Sequence, residues 1–265
     1  MLSKEEIEKG LCTQWAGRNM ICLESTDSTN VQVKLLAQKG AAHGTVVVAE
    51  SQSAGRGRLG RKWESPAGSN LYFSLLLQEN IVPQKASMLT MVMGLAVQEA
   101  IEQVCRIETK IKWPNDIVID GRKIAGILTE MYFKEDKSAY VIIGTGVNVK
   151  AQDFIPQLEN KAAFLENTCK EPVSREVLLA KILECFEEKM ALFIKTMDFS
   201  LLRQSYNEVL VNCGREVRVL DTAGEYTGTA QGINEEGELL VQRPDGAVEK
   251  VFAGEVSVRG VYGYV

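Results

Sequence analysis

The chemistry in this chain is concentrated where glycine and arginine alternate. Residues 51–63 read Ser-Gln-Ser-Ala-Gly-Arg-Gly-Arg-Leu-Gly-Arg-Lys-Trp, with Arg56, Arg58, Arg61 and Lys62 and no acid among them. In a chain of net charge −5 this is a local anion site. Its glycines let backbone N–H groups approach the anion. A second group, Lys112-Trp113-Pro114-Asn115-Asp116 followed by Gly121-Arg122-Lys123, brings an amide, a carboxylate and two lysines to neighbouring strand ends.

Two familiar phosphate motifs fit poorly. Gly55, Gly57 and Gly60 satisfy G-x-G-x-x-G, but Pro66, Gly68 and Asn70 leave no room for the helix that a dinucleotide site needs. The spacing of Gly55 and Gly60 also suits a Walker A loop. There the Lys-Ser/Thr pair is replaced by Arg61-Lys62, which removes the magnesium-binding hydroxyl. The single histidine, His43, excludes a multi-histidine zinc site. It sits in a turn before a strand and reads as an ordinary surface residue. The six cysteines form no CxxC pair, and Met1–Lys9 is charged rather than signal-like. The apolar stretch 86–97 is shorter than a membrane span. These features predict reduced thiols and a cytoplasmic protein with no membrane partner.

The elements that must hold these residues can be read from pattern. Residues 1–10 read as a short helix. Asp27-Ser28-Thr29-Asn30 supplies capping residues for a helix that runs past Leu36 and stops at Gly40. Thr45–Glu50 and Leu71–Leu77 read as buried strands around the glycine–arginine loop, and 86–104 as a helix. Asp120-Gly121 predicts a hairpin joining strands 117–119 and 123–133. A strand over 139–143 is expected to end in Gly144-Thr145-Gly146, whose glycines suit either a tight turn or a ligand site. A long amphipathic helix follows over 174–196, and Asp198 is expected to cap the next one. From Arg215 onward, short valine-rich strands between glycines read as a small antiparallel barrel. The division expected is 1–213 and 214–265.

Taken together, GRGRLGRKW at 55–63, KWPND at 112–116, GRKIAGIL at 121–128, DSTN at 27–30 and GTGVN at 144–148 resemble the biotin protein ligase family. The resemblance implies an α/β (α+β) catalytic domain with a mixed sheet, followed by a C-terminal SH3-like barrel. The implied reaction uses ATP and Mg2+ to make biotinyl-5′-AMP. Biotin then passes to a lysine of the biotin carboxyl carrier domain of a carboxylase. By resemblance, Ser28, Thr29, Asn30, Gln52, Gly55, Arg56, Gly126, Leu128, Gly144 and Gly146 line or bond the biotin pocket. Arg58, Arg61, Trp63, Lys112, Asn115 and Asn148 serve the adenylate. Lys123 touches both biotin carboxylate and α-phosphate. Asp116 accepts or orients the incoming lysine's proton, and no protein metal ligands are expected.

The family also contains DNA-binding repressors with an N-terminal winged helix-turn-helix. The 26 residues before Asp27 are too few for such a unit, so the monofunctional type and no DNA partner are expected. A homodimer fits the resemblance. Two rival functions stand beside it. A lipoate ligase shares the fold and the adenylate chemistry, and a nucleic-acid-binding regulator would use the 56–62 patch. Four cations are few for strong binding to DNA at physiological salt.

Overall fold

The computed structural model describes residues 2–78, 81–133, 139–151, 162–221, 224–253, 257–260 and 264. The first unit contains helices α1 (Lys4–Gly10), α2 (Thr29–Gln38), α3 (Ala86–Cys105), α4 (Arg175–Thr196) and α5 (Arg203–Val209). Its strands are β1 (Met20–Thr26), β2 (Val46–Gln52), β3 (Leu71–Leu77), β4 (Lys110–Lys112), β5 (Asp116–Ile119), β6 (Arg122–Phe133) and β7 (Ala139–Val147). They form one mixed sheet in the order β1-β2-β3-β7-β6-β5-β4, with only β1 and β2 parallel.

Period-two alternation decides which helix covers which face of the sheet. Val141, Ile143 and Val147 of β7 join Phe73, Leu75 and the apolar side of α3 and α4 in the main core. Tyr140 and Ile142 turn the other way and pack with Val33 and Ala37 of α2. α3 is apolar nearly all round and buried from Met88 to Ile101 apart from Glu99, because it lies between the sheet and α4. All six cysteines are free, and among the described residues no helix is long and apolar enough to cross a membrane.

The C-terminal unit is a five-stranded antiparallel sheet, β11-β10-β9-β8-β12, made of β8 (Glu216–Asp221), β9 (Gly224–Ile233), β10 (Leu239–Gln242), β11 (Val248–Val251) and β12 (Ser257–Gly260). It grips the segment 112–116. The buried Trp113 donates its indole N–H to the Gly237 carbonyl (3.1 Å) and its backbone N–H to Asn212 Oδ1 (2.9 Å). Trp113 is therefore a core residue that anchors KWPND to the second unit.

Two local expectations need correction. Gly144 and Gly146 lie inside β7, not in a turn after it, because seven consecutive residues there pair with β3. Asp198 does not cap α5. It accepts the Ser200 N–H (2.8 Å) in a turn, and the helix begins only at Arg203, after Leu202. The hairpin at 120–121 forms as expected, with both residues at positive φ (47° and 72°).

A buried ion pair ties the sheet to α4. Arg175 bonds both Glu50 carboxylate oxygens (2.9 and 3.1 Å), while Gly68 N–H donates to Glu50 as well (3.0 Å). Burial alone would raise the Glu50 pKa, but the guanidinium together with the N–H groups of Leu2 and Gly68 holds the carboxyl below its usual range. Removing one partner of such a pair strands the other in low dielectric. Arg175→Met is expected to lose about 3–5 kcal/mol in urea unfolding at pH 7. Because the folded-state pKa is depressed, the pair's contribution stands above about pH 4.3 and disappears as pH falls through the lower folded value. The gap between parent and variant should therefore shrink in acid. A loss under about 1 kcal/mol at pH 7 would contradict the pair's importance.

Candidate active site

Most of the residues singled out from sequence meet in one pocket, open to solvent, between the glycine–arginine segment and one face of β6 and β7. Segment 55–63 folds as a hairpin. Gly57 N–H donates to Arg61 O (2.7 Å), Trp63 N–H to Gly55 O (3.0 Å), and Arg58–Gly60 makes one 3-10 turn. Leu59 at its tip has φ 57° and is exposed.

The floor is bare backbone. In the β6–β7 register Gly126 faces Gly146 and Leu128 faces Gly144. An ideal Cβ on Gly146 would lie 2.6 Å from the Trp63 ring, and one on Gly126 3.0 Å from it. A Cβ on Gly144 would lie 2.1 Å from Asn30 Oδ1. These glycines are required by close approach, so that an indole and an amide can lie against the sheet.

Cations gather at one end. Lys123 Nζ lies 2.5 Å from Asp116 Oδ1 and 5.1 Å from the Trp63 ring centre. Arg58 donates to Asn115 Oδ1 (3.0 Å), and burial lowers its pKa from the free value. Lys112 is buried, with its ammonium 4.2 Å from the ring centre of Tyr264. Burial pushes its pKa down to about 8, with help from the charges of Lys123, Arg259 and Arg61 and against the pull of Asp116. Burial would raise Asp116, but Lys123 and Lys112 together with donated hydrogen bonds hold it below its ordinary value.

Both Asp116 oxygens are engaged. Oδ1 holds Lys123 and the Asn115 amide (3.1 Å), and Oδ2 accepts the Tyr264 hydroxyl. In this arrangement the carboxylate is a counter-ion that orients Lys123.

Ser28, Thr29, Asn30, Gln52 and Arg56 line the opposite end, and Arg58, Trp63, Asn115, Lys123, Gly126, Leu128, Gly144 and Gly146 the rest. Five residues named from sequence lie off the wall. Gly55 packs under the Trp63 carbonyl, and Arg61 is exposed outside. Lys112 and Asp116 sit behind Lys123. Asn148 uses its amide on the backbone carbonyls of Lys123 and Ala163 (3.4 and 3.3 Å), so it supports the lysine from below. Sequence reading missed Gly57, Ile127 and Thr145 of the wall, and Ser74, Glu130 and Tyr264 behind it. The last three carry no local motif. Among the described residues no cluster of three or more His, Cys, Asp or Glu side chains can hold a metal.

Comparison with known proteins matches this architecture to one class. Residues 22–148 match the Biotin/lipoate A/B protein ligase family, and residues 213–259 match the Biotin protein ligase C terminal domain. The chain belongs to the biotin/lipoate protein ligase family. It is 37% identical over 259 residues to the bifunctional ligase/repressor BirA of Bacillus subtilis, covering 97% of this chain and 79% of that one. It is 31% identical over 242 residues to the biotin--[acetyl-CoA-carboxylase] ligase of Paracoccus denitrificans, covering 88% and 100%. Among solved structures, the biotin protein ligase from Aquifex aeolicus in complex with biotin and ATP superposes with a TM-score of 0.82 at 32% identity, over 92% of this chain and 99% of that one.

Proposed function

We propose that this enzyme joins biotin to ATP as biotinyl-5′-AMP, releasing pyrophosphate, and then transfers the biotinyl group to a lysine of a carboxylase's biotin carboxyl carrier domain. The observation that carries this reading is the pocket itself. Its wall carries the hydrogen-bonding Ser28, Thr29, Asn30 and Gln52, the cations Arg56, Arg58 and Lys123, and a glycine floor. A ligand with a polar ring, an aliphatic tail and a carboxylate fits that set of groups.

In the first step, the biotin carboxylate attacks the α-phosphorus and pyrophosphate leaves. Lys123, fixed by Asp116, faces both anions. Its positive charge lowers a barrier that is largely electrostatic. Arg58 takes the phosphate side, Arg56 lies beside the biotin carboxylate, and Trp63 packs on the nucleotide. In the second step, the carrier lysine attacks the mixed anhydride and AMP leaves. The anhydride is already an activated acyl group, so no covalent enzyme intermediate is required. Mg2+, usually held by substrate phosphates with one or two carboxylates, would be carried by the nucleotide's phosphates and supply positive charge there.

We take residues 1–213 as the catalytic domain and 214–265 as the SH3-like barrel. Six free thiols fit the cytoplasm. The outer edge of β1, unpaired among the described residues, leaves room for a homodimer.

Biotin-dependent ATP–pyrophosphate exchange tests the reading directly. Biotin, and not lipoate, should drive exchange and raise the melting temperature, since only a ligand of the native state stabilises it. Exchange driven by lipoate alone would assign the chain to the other branch of its family. Arg58→Gly is expected to release adenylate faster, by about tenfold or more, because one charge-assisted contact of about 1.5–3 kcal/mol is lost. The readout is biotinylation of bystander lysines. An off-rate equal to the parent's would refute containment by Arg58.

A further inference from the structure

We propose that Tyr264, which the second unit brings to the first, is a positioning residue for adenylate formation: it makes the Asp116 carboxylate serve Lys123 rather than Lys112. This inference rests on the reading of Lys123 as the cation that meets both reacting anions, and it adds what aims that cation.

Two lysines compete for one buried carboxylate. Strand register favours the wrong one. β4 and β5 place Lys112 directly opposite Asp116, and opposite charges across an antiparallel pair are normally near enough to join. Lys123 lies farther along the neighbouring strand, where it pairs with Val118 beside a register shift. The ion pair nevertheless forms with Lys123, at 2.5 Å. The Lys112 ammonium lies instead on the ring face of Tyr264, 4.2 Å from its centre.

The carboxylate cannot choose by itself. Rotation about its sp³–sp² bond is broad and nearly two-fold, so its donors set its plane. Oδ1 holds Lys123 and the Asn115 amide, and Oδ2 accepts the Tyr264 hydroxyl. Burial and the charge of Asp116 push the phenol's pKa well above its ordinary value, so the hydroxyl remains a donor. Tyr264 therefore engages both sides of the competition. Its ring takes one ammonium, and its hydroxyl takes the oxygen that this ammonium would otherwise reach.

Tyr264 follows β12, which is paired to β8, and the Trp113 bond to the Gly237 carbonyl ties the 112–116 segment to the same unit. Without the hydroxyl, Oδ2 would be a buried acceptor lacking its donor, which is costly. Turning toward Lys112 relieves that cost and takes the anchor away from Lys123. Tyr264 does not line the pocket, so the loss falls on the aim of Lys123 and not on the wall that holds biotin.

The test uses the full chain. Tyr264→Phe keeps the ring on Lys112 and removes only the hydroxyl, whereas Tyr264→Leu strips away both. Tyr264→Phe is also combined with Lys123→Gln and, separately, with Asp116→Asn. Pyrophosphate exchange gives kcat and KM for biotin. Calorimetric titration with biotin counts competent sites, so kcat is taken per competent site and does not depend on the fraction folded.

Tyr264→Phe should lower kcat about tenfold, the scale of one lost hydrogen bond to a charged group, and leave the biotin KM within about twofold. Tyr264→Leu should lose about threefold more, because Lys112 also loses its ring. In the Lys123→Gln and Asp116→Asn chains, Tyr264→Phe should cost less than about twofold, since a step through which it acts is already gone. A tyrosine that only packs the two units together would cost the same tenfold in every background. Either background decides if the other does not fold. A parental kcat in Tyr264→Phe, a loss carried by KM, or a tenfold loss that persists in these backgrounds would overturn the proposal. A parent that catalyses no biotin-dependent exchange would overturn the biotin reading and this inference with it. An active parent indifferent to Tyr264→Phe would overturn this inference alone.

Discussion

Lys123→Gln should lower biotin-dependent pyrophosphate exchange by about 10²–10³-fold or more, the usual cost of removing one preorganised group that meets developing charge. The ammonium lines the pocket, is held 2.5 Å from Asp116 Oδ1, and lies over the Trp63 ring. Among the described residues no other lysine lines the pocket wall: Lys112 is buried behind, and burial pushes its pKa down to about 8. Lys112 cannot substitute without moving. The fold should survive, because Asp116 keeps the Asn115 amide, the Tyr264 hydroxyl and the nearby charge of Lys112. Circular dichroism and the unfolding midpoint check that point. A well-folded variant with near-parental exchange would remove Lys123 from the reaction.

Gly146→Ala, a change of one methyl group, should cost about 100-fold in exchange, since a misplacement near 1 Å can have that effect. The new Cβ would lie 2.6 Å from Trp63 Cε2 and Nε1, a separation that side-chain carbons do not tolerate. Gly126 holds the ring from the neighbouring strand, so the indole cannot slide along the floor and must lift. Lifting it also disturbs Lys123, which packs against its face. Trp63 emission should shift as the ring leaves the sheet. Adding Trp63→Phe should recover part of the binding lost in Gly146→Ala by making the ring smaller. Unchanged exchange and emission in Gly146→Ala would show that the ring has room the geometry denies it.

Much of the site was legible because its markers are local. Glycine, arginine and asparagine at fixed spacings state backbone freedom, charge and hydrogen-bonding capacity without reference to the rest of the chain. The hairpin at Asp120-Gly121 follows from two residues that accept positive φ. The large strands and helices follow from periods of two and 3.6. Reading failed where a local signal had two meanings. Gly144-Thr145-Gly146 suits a turn as well as a strand pressed against a ligand floor, and only its pairing with β3 and β6 decides between them. Asp198 suits a helix cap or a turn, and it makes a turn.

By itself, then, the sequence determined the kinds of group available and the elements that carry them: a cationic glycine hairpin, an amide–carboxylate strand end, an α2 with a polar first turn, and a separate glycine-spaced β unit; the expected capping bond from Ser28 does not form, and Gln52 accepts the Thr29 N–H instead. Tertiary structure decided which of these meet. Register placed Gly126 opposite Gly146 and so made the floor. Sheet order brought Glu130 to Asn30 across 100 residues, and the second unit brought Tyr264 to Asp116 across 148. A side chain's type and period are written within a few residues of it. Its partner depends on how β-strands far apart in sequence align, and one residue of slip turns every side chain to the other face.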